Sequence, residues 1–191
     1  MLCSVADAKE RIRGLTTSAE DGRLTTLCQA ASTAIARLCG YPGQSPSMEA
    51  TTYTAYLSGP SDADGRVIRL PVRPVVSVTS VYDDPDWEWG SSTLVASTDY
   101  AVDTGDGTIT LGPDGGTWSR EPRAIKVTYV AGFSVVPYDL KLAAAVLVHH
   151  WWTQLDTQGG PAADSGPPEE RGIPASVRAR LSLFILADRW L

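Results

Sequence analysis

Val67–Val81, VIRLPVRPVVSVTSV, and Val127–Trp152, VTYVAGFSVVPYDLKLAAAVLVHHWW, decide the fold of this 191-residue chain. The first stretch predicts a strand, then Leu70-Pro71 and Arg73-Pro74, then a second strand. The second predicts a strand ending at Ala131-Gly132 and a helix opened by proline. Pro137 sits where a first helical turn tolerates proline, and Asp139 favours the helix N-terminus. Within that helix Leu140, Ala144, Leu147, Trp151 and Leu155 make one stripe. Lys141, Ala145, Val148 and Trp152 make a neighbouring, largely apolar one. A helix this apolar is covered on more than one side.

Working outward, residues between about Thr51 and Phe133 are rich in Thr, Val, Tyr, Gly, Pro and Asp. Alternation recurs in TTYTAYLS, RVIRL, VVSVTSVY, DYAVD, GTITL and AIKVTYV. Turn residues separate these runs at Gly59–Gly65, Asp83–Gly90, Thr104–Gly107 and Gly112–Gly116. Short strands at this spacing predict an antiparallel sheet or small sandwich. Before them, Ser4 with Asp7 forms a capping pair for a short helix that Gly14 ends. Ser18 with Asp21 repeats the signal. Leu24, Leu27, Cys28, Ala31, Ile35 and Leu38 then recur at helical spacing up to a stop at Gly40. After the second helical run comes a Gly/Pro-rich loop at 157–173, and Pro174 opens a last helix. The expected fold is α+β, a small helical bundle from the N- and C-terminal helices with an inserted antiparallel β lobe. The expected division is 1–50, 51–133 and 134–191.

Net charge is −6 and the pI about 4.8. That argues against gripping nucleic acid, which needs clustered Lys and Arg, and fits a protein that DNA slides past. Charge of this size also serves plain solubility. No apolar run reaches the ~20 residues of a membrane span, and the first residues hold no secretory core segment. Cys3, Cys28 and Cys39 show no metal spacing and no even framework, so a reduced, intracellular site of synthesis is expected. Cys28 and Cys39 lie about 16 Å apart along one helix, and Cys3 is expected in a separate helix, so three free thiols are predicted.

The order of short motifs resembles the head–tail connector (adaptor) proteins of long-tailed phages and gene transfer agents. Those carry LP-x-x-P-V-x-S-V, matched here by Leu70, Pro71, Pro74, Val75, Ser77 and Val78. They carry D-Y-x-V-D, matched by Asp99, Tyr100, Val102 and Asp103. Their strand-to-helix junction is matched by Val127, Tyr129, Ala131, Gly132, Phe133, Val136, Pro137, Asp139, Leu140 and Lys141, and their H-W pair by His150 and Trp151. The resemblance implies a subunit without enzymatic activity, in a dodecameric ring beneath the portal protein. The ring would extend the DNA channel and receive a tail-proximal connector or stopper protein. It also implies a place in the virion, after synthesis in the host bacterial cytoplasm. A tail-completion or minor capsid protein is the neighbouring alternative.

Catalytic readings are thin. Asp103-Thr104-Gly105 matches the aspartic-protease tripeptide, and a hydrolase using Asp103 is the competing class. That chemistry needs two carboxylates sharing a proton, and one copy is present. The same residues make a good hairpin turn. His149 and His150 are about 100° apart on a helix and cannot chelate one metal together. The acids Asp83, Asp84, Asp86 and Glu88 lack EF-hand spacing and are expected in a solvated loop. No catalytic residue, metal or cofactor is therefore expected.

Interaction residues are more telling. Trp87 and Trp89, among acids at a loop tip, either fold back onto the sheet or are buried by a partner, the candidate tail-side contact. The end of the chain, Val177–Leu191, predicts a helix apolar on nearly every face. Such a helix is buried centrally in its own bundle or meets a partner. Leu181, Phe184, Ile185, Trp190 and Leu191, with Trp151 and Trp152, are the candidate contacts to the portal or a neighbouring subunit. Asp83, Asp84, Asp86, Glu169 and Glu170 are the acids that could line a channel.

Overall fold

A computed structural model describes residues 1–12, 14–157 and 172–186. The chain divides into two compact units, Met1–Glu49 with Val135–Leu191, and Ala50–Ser134. The mixture is α+β.

The first unit is helical. Its helices are α1 (Val5–Arg11), α2 (Asp21–Leu38), α3 (Tyr138–Thr157) and α4 (Ala175–Leu181). A capping box opens α1: Ser4 Oγ accepts from the Asp7 amide, and the Asp7 carboxylate accepts from the Ser4 amide. The expected second cap differs. Helix α2 begins at Asp21 with Glu20 before it and no side-chain cap, and the Asp21 amide bonds the Ser18 carbonyl. Lys9 on α1 pairs with Asp21, placing a cation against the carboxylate that Ser18 was expected to use. At the other end of α2, Gly40 has φ +90, its amide bonds Arg37 O, and the Tyr41 amide reaches back to Ala36 O. That pattern is the Schellman stop, where glycine accepts a left-handed backbone without a Cβ clash.

Helix α3 packs against α1, α2 and α4. Leu140, Ala144, Leu147 and Trp151 are buried, and so are Ala143, Ala145 and Val148. The first stripe is buried from Leu140 to Trp151, whereas in the second Ala145 and Val148 are buried, Trp152 is half-buried and Lys141 is exposed.

The expected long terminal helix is shorter. α4 ends at Leu181, a 3-10 turn covers Ser182–Phe184, and Ile185 is extended. The cause is local. Ser182 Oγ donates to Ala179 O, and the Leu186 amide donates to Cys39 O at the open end of α2. A carbonyl left over by one helix end draws the chain out of the next helix.

The second unit holds β1 (Thr51–Leu57), β2 (Val67–Arg69), β3 (Val75–Asp83), β4 (Tyr100–Asp103), β5 (Thr108–Leu111) and β6 (Ile125–Ala131). They form two antiparallel three-stranded sheets, β1-β6-β3 and β2-β5-β4. Strand β6 alternates cleanly: Ile125, Val127, Tyr129 and Ala131 are buried, with half-exposed residues between them. Strand β3 does not. Register shifts after Val75 and Val78 break the period of two, so Val75, Val78 and Val81, three apart, pair with the buried Ala131, Tyr129 and Val127, while Ser77 and Thr79 are exposed. The buried Trp118 ties its loop to the residue before β2, its indole N–H donating to Arg66 O at 2.8 Å.

Candidate functional site

In the β unit the informative region is the loop after β3. Asp84 is expected to be solvated; instead it is 3% exposed and organises the loop. Its Oδ2 accepts from the Trp89 amide at 2.6 Å and from Thr93 Oγ1 at 3.2 Å, and its Oδ1 accepts from the Asp86 amide at 3.0 Å. Desolvation alone would raise its pKa, but these donors, with the Glu88 amide, outweigh it and hold the carboxyl below its ordinary value. Asp84 is therefore removed from the acids that could line a channel. Glu169 and Glu170 lie outside the described residues.

The same hub fixes the tryptophans. Trp87 and Trp89 both have positive φ, 61° and 48°, a left-handed conformation that bulky side chains rarely adopt. Arg123, on the segment facing them, is also left-handed at 60°. Backbone held this way is strained, and such residues gather where function needs a fixed shape. Trp89 folds back onto the sheet. Its ring lies 5.1 Å from that of Tyr56, and Lys126 Nζ sits 5.1 Å from its centroid. Tyr56, Lys126 and Tyr82 are cross-strand neighbours on β1, β6 and β3. Lys126 lies 5.4 Å over Tyr82 and Arg123 lies 4.8 Å over Tyr56. Trp87 stays outward, 53% exposed, with its indole N–H on Pro122 O at 3.0 Å and its amide on Asp84 O at 3.3 Å. Of the two alternatives for the pair, Trp89 takes the fold back onto the sheet, and Trp87 remains exposed. Tyr56, Tyr82, Arg123 and Lys126 carry no sequence signal for this cluster, because strand register and not motif brings them together.

In the helical unit, Leu181 and Trp151 are fully buried, and the Trp151 indole N–H bonds Gly172 O at 3.2 Å. Both support the bundle from inside. Trp152 is half-buried under Arg23, whose Cζ lies 5.0 Å from the ring. Phe184 is half-buried, Ile185 is 46% exposed, and Leu183 is 89% exposed. Trp190 and Leu191 lie outside the described residues. Val135 and Tyr138, unmarked in the sequence reading, are 80% and 75% exposed at the start of α3.

Asp103 makes a turn. Its Oδ1 accepts from the Gly105 and Asp106 amides at 2.9 and 3.0 Å, between β4 and β5. His149 is exposed, and His150 meets Gln154 at 3.1 Å. Among the described residues no three His, Cys, Asp or Glu side chains are placed to hold a metal, and no helix is long and apolar enough to cross a membrane.

A model of the head completion protein family matches residues 1–179. The chain belongs to the head completion protein family. Among the solved structures that resemble it are three from gene transfer agent (GTA) particles. One is the neck of an empty particle computed with C6 symmetry, 19% identical, TM-score 0.62, covering 96% of this chain and 89% of that one. Another is the virion of a native particle, 20% identical, TM-score 0.62, with the same coverage. The third is the neck of a native particle computed with C12 symmetry, 20% identical, TM-score 0.54, covering 92% and 86%. At these identities the likeness is one of fold. No curated protein matches the chain. The exposed apolar residues and the tryptophan loop therefore belong to a head completion protein.

Proposed function

We propose that this protein is a structural head–tail connector subunit, one copy in a ring, dodecameric by resemblance, between portal and tail. The family match over residues 1–179 carries this reading. The kind of particle in which the similar folds occur, including necks computed with C6 and C12 symmetry, supports it.

A closed ring needs two different surfaces on each copy, because its contacts are heterologous. The exposed apolar residues supply material for both. Leu183, Phe184 and Ile185 stand after α4, and Val135 and Tyr138 stand before and within the first turn of α3. Trp152 with Phe184 and Ile185 is assigned to a neighbouring subunit or the portal. Trp87, held outward by the Asp84 hub, is assigned to the tail-proximal partner, with Trp89 bracing it against the sheet. A net charge of −6 per copy suits a channel through which DNA moves without binding.

Electron microscopy of the purified protein mixed with its portal tests this. Rings stacked on the portal are expected. A protein that stays monomeric and leaves the portal bare at high concentration overturns it. Duplex DNA at physiological salt should not bind; a salt-sensitive submicromolar complex removes the channel argument.

A further inference from the structure

All three cysteines are buried, and the structure holds them as free thiols. Their surroundings differ. Cys39 ends α2 with burial alone pushing its thiol up to about 11. Cys3 is not in a helix; it precedes the cap of α1 and lies on α2.

Two anchors place it there. The Leu2 amide donates to Ser32 Oγ at 2.9 Å, and Ser32 Oγ donates to Cys28 O at 2.7 Å. Two residues on, Cys28 Sγ lies 3.7 Å from Ser4 O. Cys28 and Ser32 are one helical turn apart on the same face of α2. Cys3, between Leu2 and Ser4, must therefore lie over that turn. It is 2% exposed and Cys28 is 0% exposed, so both thiols are closed off from bulk solvent.

We propose that Cys3 and Cys28 are a thiol pair that closes to a disulfide on meeting a small oxidised disulfide such as glutathione disulfide. The Cys28 thiolate attacks one sulfur of the oxidant, whose S–S bond breaks and releases one thiol. The mixed disulfide on Cys28 is then attacked by the Cys3 thiolate, and the second thiol leaves. Two protein thiols are oxidised, one disulfide is reduced to two thiols, and both protein protons end on them.

The electrostatics set the order. The thiol–thiol hydrogen bond lowers Cys28, against burial, and raises Cys3 well above the ordinary thiol value. The lowered member of the pair, Cys28, is assigned as the attacking sulfur, and its thiol must first give up its bond to Ser4 O. Access requires residues 1–4 to lift from α2. They are held there by the Met1 amino group on Glu49 and by the two anchors above. Once closed, the bond ties this segment to the middle of α2. It also fixes one wall of the cavity of about 200 Å³ that Met1 and Leu2 line with Ser32 and Met48.

The chemistry does not depend on the connector reading, and its test uses the whole chain alone. The protein is incubated with glutathione disulfide, digested without reductant and mapped by mass spectrometry. The expected product is a Cys3–Cys28 linked peptide lighter by two hydrogens, with Cys39 still a thiol, and dithiothreitol reverses it. Tm should rise on oxidation in the wild type and in Cys39→Ser, and not in Cys28→Ser. Stable glutathionylation of Cys28 with Cys3 left free overturns the proposal. So does a full count of three thiols after diamide treatment. Both readouts come from wild-type protein and stand even where a serine variant folds poorly.

Discussion

The helical unit and the β unit present their exposed apolar side chains in opposite ways. After α4, Leu183 and Ile185 project from a short 3-10 turn and an extended residue, with the Leu186 amide tied to Cys39 O. In the β unit, Trp87 projects from a loop that Asp84 pins through two amides and a hydroxyl. The first segment presents aliphatic side chains on a stretch held through its backbone, and the second presents an indole on a loop fixed by a carboxylate. Under the proposed function, the pinned loop would lose less freedom on meeting a partner, whereas the aliphatic stretch would offer apolar area. Left-handed Trp87 and Trp89 are the strain that goes with the fixed shape.

The largest effect tests the interior behind the first of these segments. Trp151→Ala removes a fully buried ring and its bond to Gly172 O. A loss of about 3–5 kcal/mol is expected, seen as a lower urea midpoint by far-UV circular dichroism. A loss under about 1 kcal/mol would mean the α3–α4 packing collapses to fill the space.

The next tests the fixed surface. Asp84→Ala removes the acceptor for three donors, so the loop should loosen and the Trp87 and Trp89 indole NMR signals should broaden or shift. The same carboxyl predicts a pH dependence. Its folded pKa lies below the unfolded one, so its contribution is fully present above about pH 4 and is lost as pH falls through the folded value. An acid titration of the indole signals should show a transition in the wild type that Asp84→Asn lacks. Identical titrations would detach the loop from Asp84.

The two units were unequally legible in sequence. The stripes Leu24–Ile35 and Leu140–Trp151 report helical burial directly, because one periodicity sets both structure and packing. The six strands were legible as runs, and the cap at Ser4 and stop at Gly40 as local chemistry. What escaped depends on distant partners. The end of α4 is set by a carbonyl on α2, the burial of Asp84 by amides up to five residues away, and the Tyr56–Lys126–Tyr82 row by register. Trp87 and Trp89, adjacent in chemistry and two apart in sequence, were inseparable until backbone geometry gave one to the sheet and one to solvent.

A smaller effect on folding, with a large one on assembly, is expected from Leu183→Asp. The side chain is 89% exposed, so stability should stay within about 0.5 kcal/mol. Incorporation into portal-bound rings should fall sharply, read by native mass spectrometry or microscopy. Trp87→Ala should spare ring formation and weaken only the tail-side partner. If both variants fail at the same step, the two surfaces serve one contact and the contrast between them disappears.

The smallest effect belongs to Asp103→Asn. The residue matches a protease tripeptide, but its Oδ1 already accepts two amides of its own turn, at 2.9 and 3.0 Å. Asparagine keeps an oxygen at that position, so the Asx-type turn survives and the change in Tm should be near the error of measurement. Asp103→Ala, which deletes the acceptor, should lose roughly 0.5–1.5 kcal/mol, the ordinary worth of such hydrogen bonds. The pair of variants separates turn from catalysis. A turn residue gives Ala a larger effect than Asn on stability and neither an effect on peptide hydrolysis. A catalytic carboxylate would give equal loss of hydrolysis in both with Asn still fully folded. A peptidase assay of wild type and both variants at pH 4 and 7 decides between them, and background rates in all three are the expected result.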